Sequence, residues 1–173
     1  MLIITKVNES RAGDIEKIRE TLRIENPGAV VFETSSLLAL SDPGLITGKM
    51  ALVIEDGPTM THGGLSYGAG VSASKGLVSG FVNPRLYAVG SIRETYAKFP
   101  HIGAVLPAMG YSDVQIQELK ETIAKVPAEV VVIATPVDLQ RFVEIDKHVV
   151  RVSYDFDINL DGIVEAFLKE HVH

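Results

Sequence analysis

The chain has 173 residues, and its 16 lysines and arginines stand against 22 aspartates and glutamates, which gives a formal net charge of −6. This length suits one domain, or one domain plus a fragment, and hydrophobic and charged shares of 46% and 22% exclude a disordered chain. The acidic balance argues against nucleic-acid binding, and the absence of cysteine excludes disulfides, thiolate metal ligands and a cysteine nucleophile.

Short runs of β-branched residues alternate along the chain with segments of helical periodicity. The runs predicted as strands are residues 2–7, 29–34, 50–55, 79–82, 103–106, 129–135 and 149–152. Several are continuously apolar, which is typical of strands covered by helices on both faces. The apolar stripes that predict helices begin at Ile15, Ile116 and Leu160, and capping-box patterns pair Ser91 with Glu94 and Ser112 with Gln115. The alternation predicts an α/β fold with a mostly parallel sheet.

Three segments are predicted along the chain. Residues 1–48 form a strand–helix–strand that is too small to be a domain alone, and Pro43, Gly44 and Gly48 separate it from an α/β domain at 49–155. Residues 156–173 form a last helix, and the terminal histidines His171 and His173 are interpreted as a solvated tail. No run approaches the roughly 20 apolar residues of a membrane span, so we expect a cytoplasmic protein without membrane contact.

The loop after the strand at 50–55 is the strongest candidate for a functional site. Glu55 and Asp56 leave the strand and could hold Mg²⁺ or act as a base, and His62 could contact a phosphate or transfer a proton. Its glycines would let the backbone approach a phosphate closely. The candidate ligand-binding residues of this loop are Thr59, Gly63, Gly64, Tyr67, Gly68 and Gly70. The alternative is a long turn in which the glycines serve geometry and His62 bonds to the backbone.

Loops after other strands could reach the same site, because ligands of open α/β sheets bind beyond the carboxyl ends of strands. Candidates are Arg85 as a planar fork for phosphate or carboxylate, Tyr87, and Ser91 at a helix start. Further residues considered are Met109, Gly110, Asp138 and Arg141, with helix capping favoured for Asp138. For each loop, ordinary turn chemistry is the alternative.

The N-terminal strand runs into Thr5-Lys6-Val7-Asn8, which resembles the Asn-Lys-x-Asp element by which P-loop GTPases read guanine. Both diagnostic ends differ, so Lys6 and Asn8 are weak candidates for contact with a nucleotide base. No Gly-x-x-x-x-Gly-Lys-Ser/Thr phosphate loop occurs in the sequence, which excludes P-loop hydrolysis by this chain alone.

Six ordered motifs carry a family resemblance. They read VIEDGPTMTHGG (53–64), YGAG (67–70), PRLYAVGSI (84–92), FPHIG (99–103), VLPAMGY (105–111) and ATPVDL (134–139). Together they resemble the C-terminal part of the cyclic 2,3-diphosphoglycerate synthetase family, whose members are often labelled predicted GTPases. The resemblance runs from about residue 2 to about residue 152. It implies a Rossmann-like three-layer sandwich preceded by a strand–helix–strand that resembles the end of a P-loop domain.

The resemblance also implies an activity, namely ATP-dependent closure of a phosphoanhydride between the two phosphates of 2,3-diphosphoglycerate, with Mg²⁺. On that basis Glu55 and Asp56 hold metal or position substrate, while His62, Gly63 and Gly64 contact phosphate. Arg85, Tyr87 and Ser91 then clamp the second phosphate or the carboxylate. Because the phosphate loop is missing, the chain would be a fragment, a truncated paralogue or one half of a split protein, and would need a P-loop partner.

Three functional hypotheses remain open from the sequence. The chain is the substrate half of a ligase, a non-catalytic module that binds a phosphorylated metabolite or nucleotide, or an assembly element. The third rests on the apolar first strand, which could complete the sheet of a second copy in a homodimer.

Overall fold

A computed structural model describes residues 1–110 and 112–171; Tyr111, in the fifth motif, and His173 lie outside the described residues. The strands are β1 (Leu2–Ile4), β2 (Val31–Glu33), β3 (Ser36–Leu40), β4 (Met50–Asp56), β5 (Gly80–Phe81), β6 (Leu106–Ala108), β7 (Val130–Ala134) and β8 (His148–Phe156). The α-helices are α1 (Ala12–Glu25), α2 (Gly57–Thr61), α3 (Ala69–Ser74), α4 (Gly90–Lys98), α5 (Asp113–Lys125) and α6 (Leu160–His171). The predicted α/β class with a mostly parallel sheet is confirmed.

The sequence pattern did not predict β3. It follows β2 after only two residues, Thr34 and Ser35, and no turn signal separates the two strands. In its second half, backbone and side-chain bonds link Ser41 with Arg151 and Ala39 with Ser153, so β3 runs antiparallel to β8. Its partner lies more than a hundred residues away, and a local pattern cannot identify such a strand.

The chain divides into two compact units, of which unit 2 comprises residues 39–153. The larger sheet has the order β3-β8-β7-β4-β5, and β6 also pairs with β4. Strands β4 and β7 form its centre, since Ala51–Ile54 and Val130–Ile133 are fully buried. Each such Val, Leu or Ile side chain contributes roughly 1.5–3 kcal/mol through burial.

Two short strands share one side of β4. Strand β5 pairs with Met50 and Ala51 at the start of β4, whereas β6 pairs with Ile54–Asp56 at its end. Strand β5 therefore leaves the sheet five residues before β4 ends, or about 16 Å at roughly 3.3 Å per residue. On the other side, β7 pairs with β4 as far as Glu55. The strands that reach the carboxyl edge together are thus β4, β6 and β7.

Unit 1 comprises residues 1–38 together with 154–171 of the described chain. Strands β1 and β2 form a two-stranded parallel sheet in which Leu2 is opposite Val31. Arg19 of α1 forms a bidentate ion pair with Glu33 at the end of β2, with N–O distances of 2.5 and 2.6 Å. The helix α6 belongs to this unit.

No helix within the described ranges is both long and apolar enough to cross a lipid bilayer.

One of the two predicted capping boxes is confirmed. The Ser112 hydroxyl accepts from the backbone N–H of Gln115, whose side chain in turn bonds to Ser112. The capping box predicted at Ser91 and Glu94 was wrong, because the N-cap of α4 is Val89, two residues before Ser91. Ser91 lies inside the first turn, where its hydroxyl donates to Glu118 of α5.

This difference can be tested on stability. Ser112→Ala should lower the free energy of unfolding by about 1 kcal/mol, the usual cost of losing an N-cap side chain. Glu94→Ala, on an exposed face without a capping role, should change it by less than about 0.5 kcal/mol. Urea unfolding followed by circular dichroism measures both, and equal losses would contradict the assigned helix starts.

Candidate functional site

The candidate site lies at the carboxyl edge of β4, β6 and β7. Its main part is residues 57–68, which run from β4 to α3 and are called the β4 loop below. Asp56 at the end of β4 is opposite Ala108 of β6, and Glu55 is opposite Ala134 of β7. The loops after β6 and β7 therefore leave the sheet beside the β4 loop.

Glu55 holds the far end of the β4 loop. Its side chain is only 2% exposed, and Oε1 accepts from the backbone N–H groups of Gly68 at 3.1 Å and Val71 at 3.2 Å. The carboxylate thus caps the first turn of α3, where free N–H groups and the positive helix end stabilise a negative charge. Burial raises the pKa of the Glu55 carboxyl above its usual range, although these backbone hydrogen bonds oppose the rise.

Asp56 holds the near end of the same loop. Its Oδ2 accepts from the Thr59 backbone N–H at 3.2 Å and from the Thr59 hydroxyl at 2.7 Å, which makes it the N-cap of α2. Consecutive residues of one strand therefore cap two consecutive helices. The pair Glu55-Asp56, predicted as metal ligands or a base, has a positioning role in the structure.

Gly70 allows α3 to lie against the sheet. A Cβ atom on Gly70 would come within 2.5 Å of Val53 Cγ1 and 3.0 Å of Ala134 Cβ, and one on Gly68 within 2.7 Å of Glu55 Oε2. A side chain at Gly70 would push α3 away from β4 and β7, and one at Gly68 would displace the Glu55 carboxylate. These glycines have a packing role, which is the geometric alternative that the sequence left open.

The exposed part of the β4 loop carries most of the predicted ligand-binding residues. The predicted residues that are exposed there are Thr59, His62, Gly63, Gly64 and Tyr67. Gly64 has a φ of 65°, a left-handed conformation that glycine adopts without strain. The backbone of Gly103 donates to the Ser66 carbonyl at 2.7 Å and so supports the loop from below. A hydroxyl, an imidazole and glycine backbone groups are thus presented together.

Sequence reasoning missed two residues here, Thr61 within the β4 loop and His101, which contacts the loop. The Thr61 hydroxyl lies 3.0 Å from His62 Nδ1, and His101 Nε2 lies 2.9 Å from the Met60 carbonyl oxygen. Both belong to motifs of the family resemblance, at 53–64 and 99–103, and this was the signal that could have identified them.

The neighbouring loops contribute less than predicted. Met109 packs its sulfur against Gly57, and Gly110, at a φ of 67°, lies against the side chain of Gln115. Arg141 lies 3.4 Å from Asp138 and is largely exposed. Asp138 is the N-cap residue of the following turn, as predicted, but its side chain makes no capping bond and instead accepts from Arg151 at 2.6 Å.

Arg85 does not have the contacts expected of a phosphate clamp. Its guanidinium donates to the carbonyl oxygens of Tyr96 at 3.0 Å and Ile102 at 2.6 Å, and it lies 4.6 Å from the centre of the Tyr96 ring. These contacts fix the segment before β6, whose Gly103 supports the β4 loop. Arg85 follows β5, which ends well before the carboxyl edge. It therefore contributes to the site only indirectly, by holding the backbone that supports the β4 loop. Tyr87 follows on the same segment and is half-buried.

The position at Ser91 that was predicted to bind an anion is occupied by the carboxylate of Glu118. Glu118 of α5 accepts from both the hydroxyl and the backbone N–H of Ser91 at the N-terminus of α4. A phosphate would have to displace this carboxylate, so the structure disagrees with Ser91 as a phosphate ligand.

The weak nucleotide-base candidates belong to unit 1. The Asn8 side-chain amide donates to the Ser36 carbonyl at 3.0 Å and accepts from its N–H at 2.9 Å, so it is used to join two backbone segments. This is a correction to its predicted role as a base contact. Lys6 is exposed, with an unusual φ of 60°.

The donor set at the edge does not fit Mg²⁺. One oxygen of each acidic residue is engaged by helix N–H groups, and Glu55 is buried. Within residues 1–110 and 112–171, no group of three or more His, Cys, Asp or Glu side chains is placed to hold a metal ion.

Comparison with known proteins points to a synthetase. No family model matches the chain. The arginine synthetase ArcE of Thermococcus kodakarensis is 50% identical over 171 residues, which is 98% of this chain but 37% of that protein. The chain thus spans little more than a third of the length of its relative. The name agrees with the synthetase class implied by the motifs, and it differs from cyclic 2,3-diphosphoglycerate synthetase in the compound named.

The buried carboxyl of Glu55 predicts a pH effect. An acid whose pKa is raised on folding holds its proton more tightly when folded. Its contribution to the free energy of unfolding is therefore complete below about pH 4.5, the ordinary glutamate pKa, and is lost as the pH rises through the folded-state value. Glu55→Gln removes this dependence, so wild type should lose stability relative to the variant as the pH rises from about 4.5 through the raised pKa of the folded-state Glu55 carboxyl.

Urea unfolding at a series of pH values measures the difference. Ser112→Ala is the matched control, because it removes a hydrogen bond that involves no titrating group. It should lower the free energy of unfolding by the same amount at every pH. A constant difference between wild type and Glu55→Gln would contradict the assignment.

Proposed function

We propose that the chain is part of a synthetase-like enzyme and that the β4 loop forms its substrate site. The observation that carries this proposal is the 50% identity to a synthetase along 98% of the chain, a match that spans almost every residue of the carboxyl edge. The capped arrangement of the β4 loop supports it, because it holds exposed polar groups on a rigid base.

The first candidate reaction is the formation of arginine, as named for the relative. The charges of the edge favour an amino acid over a compound with several phosphates. Arg141 is the one lysine or arginine in segments 57–68, 109–112 and 135–141 of the sequence, and it is paired with Asp138. A polyanion normally needs arginine forks or lysines to balance its charge.

The second candidate is cyclic 2,3-diphosphoglycerate synthesis. The six ordered motifs favour it, and the exposed glycine backbone at Gly63 and Gly64 is of the type that approaches phosphate closely, although the Gly63 N–H donates to the Pro58 carbonyl. The internal contacts of Arg85 and Ser91 weaken this candidate. A third reading, a module that binds a phosphorylated metabolite without turnover, draws on the same glycines.

We place the ATP and Mg²⁺ of either synthetase in another segment or chain, because this sequence has no phosphate loop. Unit 1 offers a surface for such a nucleotide-binding partner. Ile24 and Val30 are 70% and 56% exposed, and among described residues β1 and β2 pair only with each other. Parallel sheets are normally larger and covered on both faces. The remaining length of the Thermococcus relative is the first candidate for the partner.

Calorimetric titration of the chain with arginine, and separately with 2,3-diphosphoglycerate and Mg²⁺, tests the substrate site. We expect saturable arginine binding that His62→Ala weakens roughly 2- to 10-fold, the net effect of one lost hydrogen bond. Lys125→Ala is the control, because Lys125 ends α5 on the side where β7 begins, opposite the carboxyl edge. Binding of the diphosphate alone would select the second candidate, and binding of neither compound would contradict the proposed site.

Light scattering tests the partner. We expect the chain to form a one-to-one complex with the part of the Thermococcus relative outside the match. Val31→Lys, which places a charge on exposed β2, should abolish it, while Val114→Lys, at an exposed position of α5, should not. A homodimer broken by Val31→Lys would instead identify a second copy as the partner. If the chain stays monomeric both alone and when mixed with that part of the relative, the proposal of a partner is contradicted.

A further inference from the structure

Thr61 and His62 form a pair whose hydrogen bonds determine where the imidazole carries its proton. Thr61 is the last residue of α2 and is 8% exposed. Its hydroxyl oxygen lies 3.0 Å from the Gly57 carbonyl oxygen and 3.0 Å from His62 Nδ1. A bond from threonine to the carbonyl four residues earlier is common in helices. The second contact, to histidine, is the unusual one.

The two contacts together define one proton arrangement. A hydroxyl has a single proton, and a carbonyl oxygen can only accept. The Thr61 proton therefore goes to Gly57, and the hydroxyl oxygen is left to accept from His62. In the neutral ring this requires a proton on Nδ1, so Nε2 carries the lone pair. His62 is exposed in the β4 loop, and its Nε2 is thus available to a ligand there.

His101 provides an internal contrast. Its Nε2 lies 2.9 Å from the carbonyl oxygen of Met60, which can only accept. Neutral His101 must therefore carry its proton on Nε2. The contacts thus assign opposite tautomers to His62, in the β4 loop, and to His101, beside it, and each assignment follows from the ring's own partner.

We propose that Thr61 is a positioning residue that holds His62 as the Nδ1–H tautomer and so makes Nε2 the proton acceptor of the site. This deepens the proposed function and rests on it. The acceptor suits a nucleophile, an amine or a hydroxyl, that must lose a proton when it forms its new bond. Nε2 takes that proton, the ring becomes an imidazolium, and Nδ1–H stays bonded to Thr61. Transfer of the Nε2 proton to water then restores the neutral ring.

Nitrogen-15 NMR of the full chain tests the tautomer without any turnover. Spectra are recorded at alkaline pH, where imidazoles are neutral, and His62→Gln and His101→Gln assign the signals. We expect His62 to show a protonated Nδ1 and His101 a protonated Nε2. Thr61→Val, which keeps the shape of the side chain but removes the hydroxyl, should shift His62 towards the Nε2–H form. Thr61→Ser should retain the wild-type pattern, and His101 should not change in either variant.

The outcomes separate this inference from the proposed function. A protonated Nε2 on His62 in wild type, or no change in Thr61→Val, would overturn the role of Thr61. In the complete enzyme, which is the chain together with its proposed partner, His62→Gln should lower the rate of turnover by about 10²–10⁴-fold. Thr61→Val should lower that rate by less, and Thr61→Ser should keep it close to the wild-type rate. Wild-type rates in both His62→Gln and Thr61→Val would overturn the proton-acceptor role. Failure of the complete enzyme to turn over would refute the proposed function while the tautomer result stands.

Discussion

The buried carboxylate of Glu55 is the contact on which the carboxyl edge depends. It ends the fully buried part of β4 and accepts from the backbone at Gly68 and Val71, so it ties the return of the β4 loop to the centre of the sheet. Asp56 fixes the start of the same loop through Thr59. Between these two caps the loop exposes polar groups without needing a core of its own, because both of its ends are held by the strand.

The stagger of β5 and β6 along β4 decides which loops can join this site. Strand β6 reaches the edge beside Asp56, but β5 stops beside Ala51. Arg85, on the segment after β5, binds main-chain carbonyls near the start of β6 and supports the β4 loop indirectly through Gly103. An arginine that would suit a phosphate thus becomes part of the support, and the edge is left with few positive charges. This shortage of positive charge is the reason that we propose an amino acid rather than a diphosphate as the substrate.

The proposed enzyme divides its tasks between this chain and a partner. The chain would supply a substrate site with a histidine of defined tautomer, and the partner would supply the nucleotide. Unit 1, with its small parallel sheet and exposed apolar side chains, has the features of a surface that packs against another α/β element. The mass of the complex and the tautomer of His62 are independent observables, so each half of this scheme can fail alone.

The sequence by itself determined the α/β class, most strands and the helix start at Ser112, and it predicted the loop that follows β4 as the candidate site. These follow from local patterns: apolar runs, a capping motif and glycine spacing. Only the tertiary structure decided what the polar residues of that loop and its neighbours do. Glu55, Asp56, Asn8, Arg85 and Ser91 each have the chemistry of a ligand contact. Their donors and acceptors are engaged by backbone or side chains distant in sequence, and spacing alone cannot predict such pairing. Strand β3 was missed for the same reason, since its partner β8 lies at the other end of the chain.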